Sequence, residues 1–356
     1  MPNIFQTLHP IIPVLEFQNY PTLTAILRLK ALIINKLQAP PEWAELPNPK
    51  PSKGEVVVGI HTAALNHRDL FITQGQYAGI RTPCILGSDG AGEWQGKRVV
   101  LYPALAWGSN PNFQSKDFRV LGMPENGTFA EQISIPKANV FPMPEHLGWE
   151  QAAAIPLAGL TAWRALFSRC KLKKGEKVLI TGIGGGVALT ALQFAIAAEA
   201  EVFVTSGSVE KIERATKIGA KGGANYHEAG WEKQLKQAAG GFDVIIDSAG
   251  GDGFALFPSL CNPGARIGFY GGTLGKVNGL SLQPLFWKQI SLLGSTMGSP
   301  REFRAMLAFV QKHEIVPVVD SIFPMSEGAK AFEKMASGEQ FGKIVLTLNS
   351  SKMSKV

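Results

Sequence analysis

Apolar and polar positions follow two rhythms along the chain. Up to about residue 149, short apolar stretches alternate with turns, so strands are expected at 31–37, 55–63, 98–101 and 128–134. A proline-rich link runs to Pro51, and glycine and proline punctuate 75–96. Short runs bounded by such breakers read as a β-rich unit. Beyond Trp149 helical and strand periods alternate: helix 150–168, strand 177–181, helix 186–198, strand 201–205, helix 208–218, then strands at 243–247, 265–270 and 291–295. Val178, Leu179 and Ile180 are continuously apolar, as in a strand covered on both faces, while Leu189, Leu192, Ala195 and Ile196 recur near helical spacing. This alternation predicts an α/β fold with a doubly wound, parallel Rossmann-type sheet. A helix at 326–337 and a strand at 342–346 are expected to return to the first unit. The expected organisation is an extension at 1–29, a β-rich unit of 30–149 and 318–356, and a dinucleotide-binding unit of 150–317.

Between the strand at 177–181 and the next helix lie Thr181, Gly182, Ile183, Gly184, Gly185, Gly186, Val187 and Ala188. Four residues without a Cβ let the backbone bend sharply and approach a pyrophosphate, with the first helical N–H groups aimed at the anion. The spacing fits Gly182-x-x-Gly185-x-x-Ala188 better than the usual G-x-G-x-x-G, and a glycine-rich surface turn of another parallel α/β protein is the alternative. The strand at 201–205 follows at the distance of a βαβ unit and favours the dinucleotide reading. It ends in Ser206, Gly207 and Ser208, where an NAD-selective site carries an acid to accept from the ribose hydroxyl. Hydroxyls at Ser206 and Ser208 and cations at Lys211 and Arg214 suit a 2′-phosphate instead, so NADP(H) is favoured over NAD(H). Taken alone, Lys211 and Arg214 would read as a solvated helix face.

At 356 residues, 45% hydrophobic and 18% charged, the chain has the composition of a globular protein with room for two domains. The net charge of +7 is moderate and its cations are spread, with concentrations at 164–177 and 211–221 that flank the expected cofactor cleft and would steer an anionic cofactor. No basic stripe with interleaved aromatics points to nucleic acid. Cys84, Cys170 and Cys261 are odd in number and far apart, which argues against a disulfide framework and fits the cytoplasm. No apolar run reaches the roughly 18 residues of a membrane helix. Near the start, Ile11, Ile12, Val14, Leu15 and Phe17 are interrupted by Pro10, Pro13, Glu16 and Pro21, and no basic start or cleavage site is present. The segment is expected to be a poorly ordered extension, or the product of an upstream start codon, rather than a signal peptide, with the fold beginning near Lys30.

Several motifs together carry a resemblance. They are Ala64-Leu65-Asn66-His67-Arg68-Asp69, Ile85-Leu86-Gly87-Ser88-Asp89-Gly90-Ala91-Gly92, Leu157-Ala158-Gly159-Leu160-Thr161-Ala162, the glycine turn, and Phe341-Gly342-Lys343-Ile344-Val345. From residue 30 onward the chain resembles the medium-chain dehydrogenase/reductase superfamily, in the zinc-independent branch of quinone oxidoreductases and enone or enoyl reductases. The resemblance implies a twisted, partly barrel-like catalytic domain and a cofactor cleft between it and the nucleotide-binding domain. Zinc-dependent members carry cysteine at the position of Asn66 and histidine at that of Ser88, and the segment 103–125 has no cysteine for a structural metal. Catalytic zinc takes about three strong donors, so no metal is expected. His67 and Asp69 read as a structural histidine and a carboxylate holding local backbone.

Without a Lewis acid, alcohol oxidation is disfavoured and hydride transfer from NADPH to a quinone or α,β-unsaturated carbonyl is the expected reaction. The resemblance places Asn66, Tyr77 and Ser88 near the reacting group, with Asn66 and Tyr77 as the catalytic candidates. For Tyr77 the alternative is an aromatic that only walls the cleft. It places Thr161 and Thr296, Met297 and Gly298 near the nicotinamide, Tyr226 against the adenosine phosphate, and Ser248, Tyr270 and Gly271 along the crevice. For Thr161 the alternative is a plain helix-interior threonine. Phe286 and Trp287 are expected in the core or an interface, and a homodimer is expected through an edge strand near 291–293. Two other functions stay open: an NADPH-binding protein with little turnover, and an enoyl-thioester reductase.

Overall fold

The computed structural model describes residues 28–348. The expected extension lies outside them except for Arg28 and Leu29, which open the strand Arg28–Ile34. Leu29 is buried there. Two residues of the expected extension thus belong to a strand of the described fold.

Six parallel strands form one sheet: β1 (Lys177–Ile180), β2 (Glu201–Ser206), β3 (Gly222–Asn225), β4 (Phe242–Asp247), β5 (Cys261–Phe269) and β6 (Ser291–Gly294). Their order is β3-β2-β1-β4-β5-β6, so the winding reverses beside β1 and opens a crevice at the carboxyl ends of the central strands. Leu179 pairs with Phe203 on one side and Ile245 on the other, and the Val178–Ile180 run is wholly buried, as its continuous apolarity requires. The helix Gly186–Ala197 covers it with Leu189, Leu192, Phe194 and Ala195. Strand β3 was not anticipated. Gly222 and Gly223 are poor strand formers, yet a Cβ on Gly223 would come within 2.7 Å of Val204 O, so close packing on β2 selects glycine.

The single helix expected at 150–168 is divided into Trp149–Ala153, Pro156–Trp163 and a π-helical turn Arg164–Arg169. Pro156 has no N–H to continue the first helix but suits the opening turn of a second. In the β-rich region, strands Val140–Pro142, Lys97–Leu101, Asp89–Trp94, Glu55–Ala64, Lys343–Thr347 and Val319–Pro324 lie in that order, and Gln132–Pro136 also pairs with Glu55–Ala64. The sheet is not closed into a barrel. The strand expected at 128–134 begins only at Gln132, because Thr128 N and Phe129 N bond Gly87 O and Leu86 O in a loop. The tail strand enters this sheet antiparallel to Glu55–Ala64, and just before it Gly342 N donates to Gly184 O at 2.9 Å. One apolar core runs from Ala64, Ala91 and Tyr102 to Val178, Ile180 and Phe303, joining the two sheets.

Candidate active site

The glycine turn is pinned at both ends. Thr181 N donates to Ile246 O at 3.0 Å and Thr181 Oγ1 to Asp247 Oδ1 at 2.5 Å, while Ile183 N donates to Thr205 O at 2.7 Å. Burial pushes the Asp247 carboxyl above its ordinary value, against the pull of hydrogen bonds from Thr181 and the backbone of Gly250. Gly182 has φ of +61° and Gly184 φ of +131°, conformations that disfavour side chains. A Cβ on Gly182 or Gly185 would meet open space, and no side chain caps the helix Gly186–Ala197 that Gly185 and Gly186 begin. An uncapped helix start facing open space, with Val187 in its first turn, fits a dinucleotide pyrophosphate.

At the end of β2, Ser206 Oγ accepts from Ser208 N at 3.1 Å, and Ser208 caps the helix Val209–Ile218 by accepting from Lys211 N at 3.2 Å. Each hydroxyl thus has a local task and keeps its O–H to donate. A Cβ on Gly207 would lie 2.9 Å from the Tyr226 hydroxyl and 2.7 Å from His227 Nε2, so only glycine leaves this corner open. Lys211 reaches back along the turn: its Nζ bonds Gly338 O at 2.9 Å, and its Cδ is 3.0 Å from the Cβ position of Gly184. Arg214 is turned elsewhere, its guanidinium 4.1 Å from the Phe341 ring centroid. The structure thus gathers Ser206, Ser208, Lys211 and Tyr226 and adds His227, which sequence reasoning missed although it follows Tyr226 directly.

Along the crevice, a Cβ on Gly271 would lie 2.6 Å from Ser248 O, and Tyr270 N donates to Asp247 O at 3.1 Å. Burial holds the Tyr270 hydroxyl above its ordinary pKa, with Ser248 as its hydrogen-bond partner. Thr161 is buried and donates to Leu157 O at 2.8 Å, as a helix-interior threonine does. Met297 is buried with φ of +34°, and the next carbonyl, Gly298 O, accepts from the Tyr102 hydroxyl at 2.7 Å. Thr296 is exposed and borders a pocket of about 320 Å3 with Asn112, Phe113 and Arg169. Arg164, counted among the steering cations, is buried against Glu302 instead and contributes no field to the cleft. Phe286 and Trp287 are 67% and 80% exposed, so neither is core.

Asn66 follows strand Glu55–Ala64 and heads the helix His67–Thr73. Its backbone N–H is held by Asp69 Oδ2 at 2.9 Å, in keeping with the reading of Asp69 as a brace for local backbone. Its side chain meets two buried charges: Oδ1 accepts from Lys343 Nζ at 2.7 Å, and Nδ2 donates to Asp89 Oδ2 at 3.0 Å. Lys343 Nζ also bonds Asp89 Oδ2 at 2.9 Å, and Asp89 Oδ1 accepts from Leu157 N at 2.8 Å, in the first turn of Pro156–Trp163. Asp89 and Lys343 were read only as motif letters. The available signal was Lys343, a lone cation opening an otherwise apolar strand.

Ser88 Oγ accepts from Arg68 at 2.7 Å and donates to Leu121 O at 2.9 Å. The Arg68 guanidinium lies 5.0 Å from the ring centroid of Tyr77, which is 39% exposed. Tyr77 thus stands on the Arg68 side of the helix His67–Thr73, with no hydrogen bond recorded for its hydroxyl. Among the described residues no cluster of three or more His, Cys, Asp or Glu side chains is placed to hold a metal. The groups around Asn66 do not fit catalytic zinc, because Ser88 is taken by Arg68 and the lone pairs of Asn66 and Asp89 face an ammonium. Cys84, Cys170 and Cys261 are free and buried, and burial pushes their thiols up to about 11, 12 and 12, which leaves no thiolate nucleophile.

Comparison with known proteins follows this geometry. Residues 52–145 match the profile of the alcohol dehydrogenase GroES-like domain, and 186–312 that of the zinc-binding dehydrogenases. The chain is 34% identical over 331 residues to the zinc-type alcohol dehydrogenase-like protein YogA of Leptosphaeria maculans, covering 84% of this chain and 92% of that one. The chain belongs to the medium-chain dehydrogenase/reductase superfamily. The quinone oxidoreductase of Mus musculus is 28% identical over 316 residues, covering 84% of this chain and 91% of that one. A crystallised NAD-dependent alcohol dehydrogenase superposes with a TM-score of 0.85 at 32% identity, over 90% of this chain and all of that one. The quinone oxidoreductase of Thermus thermophilus, solved also with NADPH, superposes with a TM-score of 0.76 at 27% identity, over 90% of this chain and 100% of that one. As a member of this superfamily the chain is an oxidoreductase with a nicotinamide-cofactor fold. Among the described residues no helix is long and apolar enough to cross a membrane.

Proposed function

We propose that this chain is an NADPH-dependent reductase of quinones or α,β-unsaturated carbonyls that works without catalytic zinc. The observation that carries the reading is the donor set beside the cofactor turn, where an ammonium and a carboxamide lie against Asp89 in place of metal ligands. Such a site lacks the Lewis acid that stabilises an alkoxide, but it suits a carbonyl oxygen that gains charge during reduction.

When bound, the reduced nicotinamide supplies the hydride to the electrophilic carbon. Charge then passes to the conjugated oxygen, which takes a hydrogen bond from Asn66. The Tyr77 hydroxyl, or water beside it, returns the proton. The turn at Gly182, Gly184, Gly185, Gly186 and Val187 holds the pyrophosphate through backbone N–H groups. Ser206, Ser208, Lys211, Tyr226 and His227 receive the 2′-phosphate, and no carboxylate among Ser206, Gly207 and Ser208 opposes it. Thr161, Ser248, Tyr270, Gly271, Thr296 and Met297 line the remaining length of the cofactor. In this reading, 150–317 binds the cofactor, and 30–149 with 318–356 supplies the substrate side.

The test is oxidation of NADPH, with NADH in parallel, by quinones, enones, enoyl thioesters and, in reverse, alcohols, with and without a chelator. Reduction of one conjugated class that prefers NADPH and ignores the chelator is expected. Activity restricted to alcohols and abolished by the chelator would overturn the reading.

We also propose a homodimer formed across β6. That strand ends the parallel sheet with one backbone edge unpaired, and Leu282, Phe286 and Trp287 stand exposed on the helix just before it. Trp287→Asp is expected to yield a monomer in light scattering, and a parent chain that is itself monomeric would end the proposal. The three free, buried cysteines suit a cytoplasmic protein.

A further inference from the structure

We infer that Lys343 and Asp89 are positioning residues that lock the Asn66 carboxamide in one of its two flips, so that its remaining Nδ2–H is presented to the substrate's carbonyl oxygen. The inference rests on the proposed reduction and goes beyond it by naming what aims the donor.

An isolated asparagine amide turns over with little preference, and the two ends differ only in what they can bond. Here the partners decide. An ammonium can only donate and a carboxylate can only accept, so Oδ1 must face Lys343 Nζ at 2.7 Å and Nδ2 must face Asp89 Oδ2 at 3.0 Å. The Nζ to Oδ2 contact of 2.9 Å closes the triangle. A flip would exchange two charge-assisted hydrogen bonds for donor against donor and acceptor against acceptor, in a site where Asn66, Asp89 and Lys343 are all at least nine-tenths buried.

The triangle is itself anchored on both sides. Asp89 Oδ1 takes the Leu157 N–H at 2.8 Å, where the helix start favours negative charge. The Lys343 stem runs past the first residue of the cofactor helix, since a Cβ on Gly186 would come within 2.6 Å of Lys343 Cδ. The amide is therefore held at a fixed place relative to the cofactor turn. Of its two N–H bonds one is committed to Asp89, and the other has no recorded acceptor among the described residues. A buried donor already oriented needs no reorganisation as charge reaches the oxygen.

The test combines two readouts on the full chain. In kinetics, Asn66→Ala should lower kcat on the order of 100-fold, as loss of one oxyanion donor does. Lys343→Met should lower it roughly tenfold, and the double variant should be no slower than Asn66→Ala, because groups acting as one unit are not additive. NADPH affinity, measured by fluorescence for each variant, separates this effect from lost cofactor binding. Losses in kcat that multiply in the double variant would overturn the inference.

The second readout needs no turnover. In protein labelled with 15N-asparagine, the Asn66 side-chain signals are assigned by their absence in Asn66→Ala. One of the two amide protons should exchange slowly and the other fast, and the difference should shrink in Lys343→Met. Equal exchange in the unsubstituted chain would overturn the lock, even where Lys343→Met fails to fold. A chain that reduces no quinone or enone but shows unequal exchange would sink the proposed reaction and leave the lock standing.

Discussion

Two buried cation–carboxylate pairs join distant parts of this molecule, and they differ in what the cation holds besides its carboxylate. Arg164 spends its guanidinium on both Glu302 oxygens at 2.6 and 2.7 Å, on Asn112 O at 2.6 Å and on Pro111 O at 3.3 Å, and it lies 4.9 Å from the Trp107 ring centroid. Glu302 also takes the Ser299 N–H and hydroxyl. Burial alone would raise the Glu302 carboxyl, but hydrogen bonds from Ser168 and Ser299 and the Arg164 charge outweigh it and hold it below its ordinary value. Lys343 and Asp89 are as deeply buried, yet an ammonium hydrogen and an Asn66 amide hydrogen remain unspent. A guanidinium held between a carboxylate and two backbone carbonyls tethers the loop around Asn112 to the helix Pro300–Lys312. A pair that shares its contacts with a side-chain amide can aim that amide at a ligand.

The largest expected effect attacks the Arg164–Glu302 pair. Glu302→Ala leaves Arg164 buried without a counter-charge and should cost about 3–5 kcal/mol of stability in a denaturant titration. A loss below ~1 kcal/mol would show that water enters this site and would erase the distinction between the two pairs.

Asp69 offers an intermediate case, with Oδ2 on Asn66 N and a buried Oδ1 that lies 3.8 Å from Arg68 Nη1 but takes no hydrogen bond among the described residues. Burial raises its carboxyl from 3.8 to about 6, against the pull of Arg68. The folded chain thus holds this proton more tightly than the unfolded chain. Its contribution to stability is fully present below the unfolded value and is lost as pH rises from about 4 to about 6. Asp69→Asn should abolish that loss, which amounts to as much as ~3 kcal/mol. Parallel stability curves for parent and variant across this window would refute the assignment.

The smallest expected effect concerns Lys211, whose ammonium has a single recorded acceptor and so also keeps donors to spare. Lys211→Glu should weaken NADPH binding roughly tenfold to a hundredfold, with a much smaller change for NADH. Equal weakening of both would move Lys211 away from the 2′-phosphate.

What could be read from the chain was whatever neighbouring residues encode together. The run Val178–Ile180, the glycine turn, and Ser208 with Lys211 are each contained within a few residues. The β-rich region came from short apolar runs between glycine and proline breakers, and the family motifs supplied the crevice positions. The helix Pro300–Lys312 was equally legible, since Phe303, Met306, Leu307 and Val310 share a face and Ser299 with Glu302 forms a capping box, but it was not anticipated. Strand β3 was hidden by its glycines. The triangle at Asn66 had one local signal, the cation that opens the strand Lys343–Thr347, and nothing local to name its partners, because Lys343 is 254 residues from Asp89 and 277 from Asn66. Only the placement of the last strand beside Glu55–Ala64 creates it.

The bond from Gly342 N to Gly184 O has a mechanical consequence. Gly342 has φ of +130°, and a Cβ there would lie 2.6 Å from Val318 O, so this seam is closed to any larger residue. It fastens the cofactor turn to a strand woven into the opposite sheet. The distance between the glycine turn and the strand that carries Lys343 is thereby pinned at one point of backbone.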